Sequence, residues 1–318
     1  MTPQLNDLLM DTALVEFVEE ARASIGPTWR ELGPYAVREL QQERIARRPP
    51  GLPGVAVADM SIADGLAVRL YLPESATGMA LLVYLHGGMW TIGNLDSHDR
   101  LCRRLVREVG VAVLAVHYRR APECPWPAAV DDAVAAVQWA QTRVAELTRG
   151  GVLMVAGDSA GGHLATLACL RLRDAGGPLP AAQILVCPNT DLTLSLPSAQ
   201  EKRTGWGLTT DDIAWGAELW VPDPRLRADP RVSPLFEPDL SGLPPALIVT
   251  AEHDPLRDEG EAYAHRLMDA GVPTLLRREA KMIHGFLTLD TLSPAADAAG
   301  ERLFGDISQM NIRPDSAM

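Results

Sequence analysis

Gly157-Asp158-Ser159-Ala160-Gly161 sets a serine between two glycines, after the apolar run Val152-Leu153-Met154-Val155-Ala156 and before a helical stretch, Gly162 to Arg173. Strand, sharp turn and helix in that order raise the Ser159 hydroxyl at the tip of a strand. The turn brings two backbone segments close together, so a side chain at 157 or 161 would collide. The helix N-terminus offers unpaired N–H groups and a partial positive charge, suited to a developing oxyanion. This is the equipment for nucleophilic attack on a carbonyl carbon.

A serine hydroxyl needs a base, and the base needs an orienting acid. Of the seven histidines, His284 lies just past the last strand-like stretch, and Gly285 lets its loop turn tightly. His163 is one helical turn beyond Ser159 and points along the helix. His265 reads as solvated and His117 as a satisfied structural group. Asp254 follows the apolar run Ala246 to Ala251 and precedes Pro255, which fixes an exit from the strand. Asp258 is its nearest competitor and Glu252 the next. His86-Gly87-Gly88-Met89-Trp90 follows another apolar run. Its glycines allow backbone N–H groups to converge on one point, and the Ala160 N–H would complete an oxyanion site.

The elements that must hold these residues follow from the hydrophobic pattern. Residues 1–50 read as amphipathic helix, with Leu5, Leu8, Leu9, Leu14, Val15 and Val18 at spacings near three and four; Pro49-Pro50-Gly51 and Pro53-Gly54 end them. Val55 to Ile62 and Leu66 to Leu72 predict two strands joined by a tight turn. Further strands are expected at Met79 to Leu85, Val111 to Val116, 152–157, 182–187, 246–251 and 273–279. Helices are expected at Leu101 to Val109 and Ala128 to Leu147. This alternation predicts an α/β fold whose mostly parallel sheet is covered by helices on both faces, with an antiparallel edge. Residues 190–225 interrupt the pattern with Trp206, Trp215 and Trp220, and Thr209 or Thr210 is a plausible N-cap. An aromatic-rich insertion at a strand's carboxyl end suits a cover over a site. Trp90, Trp206 and Trp215 are expected to line an apolar substrate pocket, core packing being the alternative.

Composition sets outer bounds. The chain has 318 residues, 47% of them hydrophobic, which supports a sizeable core. Its formal charge of −12 disfavours nucleic acid and anionic membrane as partners. The four cysteines, Cys102, Cys124, Cys169 and Cys187, have no metal-ligand or C-x-x-C spacing. The acidic first twenty residues lack a signal-peptide pattern, and no run of 18 apolar residues predicts a membrane span. A reduced, cytoplasmic protein without metal is expected.

The motifs resemble the hormone-sensitive-lipase-like branch of the α/β-hydrolases, the bacterial carboxylesterases of family IV. The resemblance covers about residues 65 to 305. It is carried by His86-Gly87-Gly88, Asp96-Ser97-His98-Asp99, Tyr118-Arg119-Arg120-Ala121-Pro122-Glu123, Gly157 to Gly162, Asp254 to Asp258 and His284-Gly285-Phe286. It implies catalysis by Ser159, Asp254 and His284, in the chain order Ser, Asp, His typical of this fold. It also implies an oxyanion hole from Gly87, Gly88, Met89 and Ala160, and structural roles for His86 and Glu123. Met89 stands where the family has a third glycine. The N–H survives, but the side chain must either narrow the acyl pocket or shift the donor. Arg120 replaces the family's leucine, with little catalytic effect expected. Residues 1–50 and about 190–225 correspond to the family's helical cap, and 51–318 to its catalytic domain. The implied activity is hydrolysis of a small to medium acyl ester, with no cofactor; the resemblance also allows a homodimer. An amide hydrolase, deacetylase or acyl transferase would use the same triad, and a ligand-binding protein could share the fold.

Overall fold

A computed structural model of the chain describes residues 5–24, 26–47, 51–74, 80–148 and 151–310. The apolar runs become one eight-stranded sheet in the order β1-β2-β4-β3-β5-β6-β7-β8. In chain order these are β1 (Val55–Ile62), β2 (Leu66–Pro73), β3 (Leu81–Leu85), β4 (Ala112–Val116), β5 (Leu153–Asp158), β6 (Gln183–Val186), β7 (Ala246–His253) and β8 (Thr274–Ile283). β1 and β2 pair antiparallel, as do β2 and β4; all other neighbours are parallel. Every residue of β3 and β4 is buried, whereas six of the eight residues of edge strand β1 are exposed.

Ten α-helices are described: α1 (Leu5–Leu8), α2 (Thr12–Ala23), α3 (Trp29–Ala46), α4 (Asp99–Arg104), α5 (Ala128–Thr148), α6 (Ala160–Asp174), α7 (Pro197–Glu201), α8 (Thr210–Trp220), α9 (Arg257–Asp269) and α10 (Pro294–Gln309). The two-residue period of β3 sorts its side chains to two cores. Leu81, Val83 and Leu85 join a core with Val130 and Val137 of α5, Leu164 of α6 and Leu267 of α9. Leu82 and Tyr84 join the opposite core, with Leu14 and Val18 of α2 and Leu303 and Ile307 of α10. None of the described helices is long and apolar enough to cross a membrane.

The strand expectations hold to within a residue or two, except at the last. β8 runs to Ile283, four residues beyond the expected end, so His284 follows the strand directly. Met79, Pro49 and Pro50 fall outside the described residues. Thr209, not Thr210, caps α8; its hydroxyl accepts from the Asp212 N–H while the Asp212 carboxylate accepts from the Thr209 N–H. The N-terminal helices and the segment between β6 and β7 pack together. Arg30 of α3 pairs with Glu218 of α8 at 2.5 Å. Arg22 of α2 donates to the Gly205 carbonyl at 2.9 Å and lies over the Trp206 ring.

Candidate active site

Ser159 stands between β5 and α6 with φ 53° and ψ −123°, a conformation that costs a non-glycine residue about 1–3 kcal/mol. The surrounding backbone enforces it. A Cβ on Gly161 would lie 1.9 Å from the Leu85 carbonyl oxygen, and one on Gly157 would lie 2.3 Å from the Gly161 carbonyl carbon. The first turn of α6 is thereby pressed onto the ends of β3 and β5. The Ser159 N–H donates to the Val186 carbonyl at 2.8 Å, which ties the turn to β6. Gly161→Ala should therefore destabilise the fold by about 3 kcal/mol, since backbone rather than a side-chain tip must yield. A denaturant melt checks this; a midpoint equal to wild type would contradict the packing.

His284 Nδ1–H donates to Asp254 Oδ2 at 2.8 Å. Asp254 is fully buried at the end of β7, and its Oδ1 accepts from the Leu256 N–H at 2.9 Å. The competing carboxylates are occupied elsewhere. Asp258 accepts from the Ser198 N–H and pairs with Arg257, and Glu252 accepts from the Lys281 N–H. With its Nδ1 proton committed to a carboxylate, the imidazole keeps a lone pair on Nε2. Burial disfavours the imidazolium. The charge and hydrogen bond of Asp254 outweigh it, with a contribution from Asp158, and hold His284 above the ordinary imidazole range. Ser159 and His284 line one cavity of about 10 Å³, walled also by Val186, Cys187, Phe286 and Leu287. Cys187, Asp254 and His284 offer donor atoms within 4.8 Å of one another, the one such His/Cys/acid set among the described residues. The hydrogen bond between the last two already engages them.

The loop after β3 corrects one expectation. The Gly87 N–H is not free for an oxyanion, because it donates to Asp158 Oδ1 at 3.1 Å. The N–H groups of Gly88, Met89 and Ala160 have no acceptor among the described residues. Gly88 has φ 126°, and a Cβ there would lie 2.4 Å from the Ile92 carbonyl oxygen. Met89 and Trp90 follow at φ 50° and 56°. Asp158 also accepts from the Tyr84 hydroxyl at 2.7 Å and lies 3.1 Å from His98 Nε2. Burial pushes its carboxyl up, but His98 and these hydrogen bonds pull it down to about 2. Asp158 thus anchors the loop as a carboxylate, a role that its place beside the serine did not announce. His86 stacks on Tyr118 at 4.2 Å, and burial drives it down to about 3, so it stays neutral. Glu123 pairs with Arg38 of α3, whose guanidinium also donates to the Thr91 and Ala121 carbonyls. Arg120 donates to the Gly93 carbonyl at 2.7 Å.

The three tryptophans expected at a pocket are all buried, and none lines the cavity shared by Ser159 and His284. Trp90 is fully buried, donates to His163 Nδ1 at 3.0 Å and stacks on Trp220 at 4.7 Å. Trp206 stacks on His253 at 4.1 Å, next to Asp254 in sequence. Trp215 is a core residue. Among the other histidines, His163 faces away from the serine as expected, its second ring nitrogen on the Val232 carbonyl. His117 departs from expectation, since its buried Nδ1 lacks a hydrogen-bond partner.

Residues 82–288 match the family model described as the alpha/beta hydrolase fold. The carboxylic ester hydrolase LipN of Mycobacterium tuberculosis is 44% identical over 259 residues, which cover 78% of this chain and 69% of that protein. The carboxylesterase NlhH of the same organism is 39% identical over 309 residues, 93% of this chain and 92% of that one. The crystal structure of a thermostable esterase from Pseudomonas putida superposes with a TM-score of 0.88 at 32% identity, covering 94% of this chain and 97% of that one. The chain belongs to the α/β-hydrolase fold family, in its hormone-sensitive-lipase-like branch.

Proposed function

We propose that the protein is a serine carboxylesterase that cleaves small acyl esters through an acyl-enzyme. The observation that carries this reading is the hydrogen bond from His284 to the fully buried Asp254, with His284 lining the same cavity as Ser159. His284 Nε2 takes the Ser159 proton as Oγ bonds to the ester carbonyl carbon, and the carbonyl π pair moves onto oxygen. Asp254 fixes the imidazole and stabilises the cation. The oxyanion rests on the N–H groups of Gly88, Met89 and Ala160, with the α6 N-terminus behind the last. Each such donor contributes about 3–4 kcal/mol to lowering the barrier. As the tetrahedral centre collapses, the C–O bond to the alcohol breaks and His284 returns its proton to the leaving oxygen. Water then enters, is deprotonated by His284, and releases the acid by the same two steps. In this reading residues 1–50 and about 190–225 form a cap over the catalytic domain at 51–318.

An ethyl acetate hydrolase of Pseudomonas putida is 39% identical over 252 residues, which favours a short acyl chain. On a p-nitrophenyl series, kcat/KM should peak between acetate and butyrate and fall at least about tenfold by decanoate. A rise toward decanoate would reject the short-chain assignment. Matched anilides should turn over far more slowly; equal rates would favour an amidase. A fluorophosphonate should label Ser159 covalently, and an unlabelled native protein would reject the hydrolase reading itself.

A further inference from the structure

We infer that Gly216 of α8 is a positioning residue that fits Met89, and with it an oxyanion donor, beneath the cap. The inference rests on the oxyanion role of the Met89 N–H proposed above. Met89 is 4% exposed and left-handed at φ 50°. Its side chain goes neither to the cavity of Ser159 nor to solvent. Gly216 meets it. A Cβ on Gly216 would lie 2.6 Å from Met89 Cβ, 3.1 Å from its carbonyl oxygen and 3.4 Å from Cγ. Cβ atoms do not approach that closely, so one of the two positions must lack a side chain.

Glycine in the middle of an eleven-residue helix is otherwise disfavoured. Its presence is explained by the contact. One turn on, Trp220 stacks within 9° of parallel on Trp90, so the Gly216–Trp220 face of α8 holds two consecutive left-handed residues. The helix is itself fixed, by the Thr209–Asp212 capping box and the Arg30–Glu218 pair. The Met89 side chain fills the space that a side chain at 216 would take. The cap helix is thus part of the mould that sets an oxyanion donor.

Gly216→Ala should force Met89 away from α8 and rotate its N–H. We expect kcat on p-nitrophenyl butyrate to fall about 10- to 100-fold, a partial loss of one donor, with KM changed less than about threefold. Affinity for a trifluoromethyl ketone, which forms a tetrahedral oxyanion on Ser159, should fall in parallel. Gly216→Ala combined with Met89→Gly should return kcat to within about threefold of Met89→Gly alone. An unchanged kcat in Gly216→Ala, unchanged ketone affinity, or a double variant no better than Gly216→Ala would overturn the inference. If Gly216→Ala alone does not fold, the double variant must still fold and turn over, and its failure overturns the pairing. Ser159→Ala separates the two readings. If it is inactive while Gly216→Ala is neutral, the inference fails and the esterase reading stands; if it stays active, the esterase reading fails.

Discussion

Ser159→Ala should lower kcat by about 10,000-fold or more while leaving the fold intact. The loss is large because Oγ is the only atom at the elbow that can bond to the acyl carbon; the donors that remain can only polarise the ester for attack by water. The fold should survive because the turn is held by main-chain groups. The Ser159 N–H is on the Val186 carbonyl, and the Ser159 carbonyl accepts from the His163 N–H at 3.0 Å. No hydroxyl bond is lost from a cap, since the Ser159 side chain makes none to α6. Alanine inherits the left-handed strain, so its melting temperature should match wild type. Ser159→Gly relieves that strain and should gain about 1 kcal/mol of stability at the same loss of activity. Ester turnover beside thermal melts tests both statements. Retention of more than about 1% of kcat in Ser159→Ala, far above what donors alone supply, would remove the serine from the mechanism.

The parts of this site legible in the sequence are those set by local chemistry. Val83, Leu114 and Val155 lie in runs buried on both faces of a parallel sheet, and such runs announce themselves by apolar continuity. The glycines flanking Ser159 are dictated by a turn a few residues long. Thr209 could be read as a cap because its partner Asp212 is three residues away. What stayed hidden depends on partners distant in the chain. A glycine motif reports dihedral freedom, not where its N–H groups point, and Gly87 is claimed by Asp158, 71 residues later. Aromatic composition does not say which way a ring faces; Trp90 turns to His163 and Trp220, and Trp206 to His253. The end of β8 is hidden because Lys281 breaks the apolar pattern, while the strand continues past it through an irregularity in its pairing with β7, with Lys281 at φ 57° and Ile283 opposite His253. Arg38 carries no motif, and its importance appears only when α3 docks beside the loop after β3.

Asp254→Asn should also cost about 10,000-fold in kcat at neutral pH, and it should move the acid limb of the pH profile. Asparagine can present an N–H to Nδ1, which drives the ring proton to Nε2 and leaves no base facing the serine. The direction of the pH shift follows from the opposing influences on His284. Burial resists the imidazolium, and Asp254 more than offsets it. In the wild type, therefore, kcat/KM should be lost as pH falls through a midpoint above the ordinary imidazole value of about 6.5. Without the carboxylate, burial prevails, and the residual activity of Asp254→Asn should persist to a lower pH than that of the parent. Stability runs the other way. A folded-state pKa raised above the unfolded value contributes stability that is fully present below about pH 6.5 and is lost as pH rises through the folded midpoint. The charged pair thus holds the active-site loops most firmly at the pH where the enzyme is inactive, and turnover occurs where that contribution has been given up. Melting temperature against pH should decline across the same interval in which kcat/KM rises, and Asp254→Asn should abolish that decline. If the acid limb and the melting profile are both unmoved by Asp254→Asn, the proton that matters is not on His284.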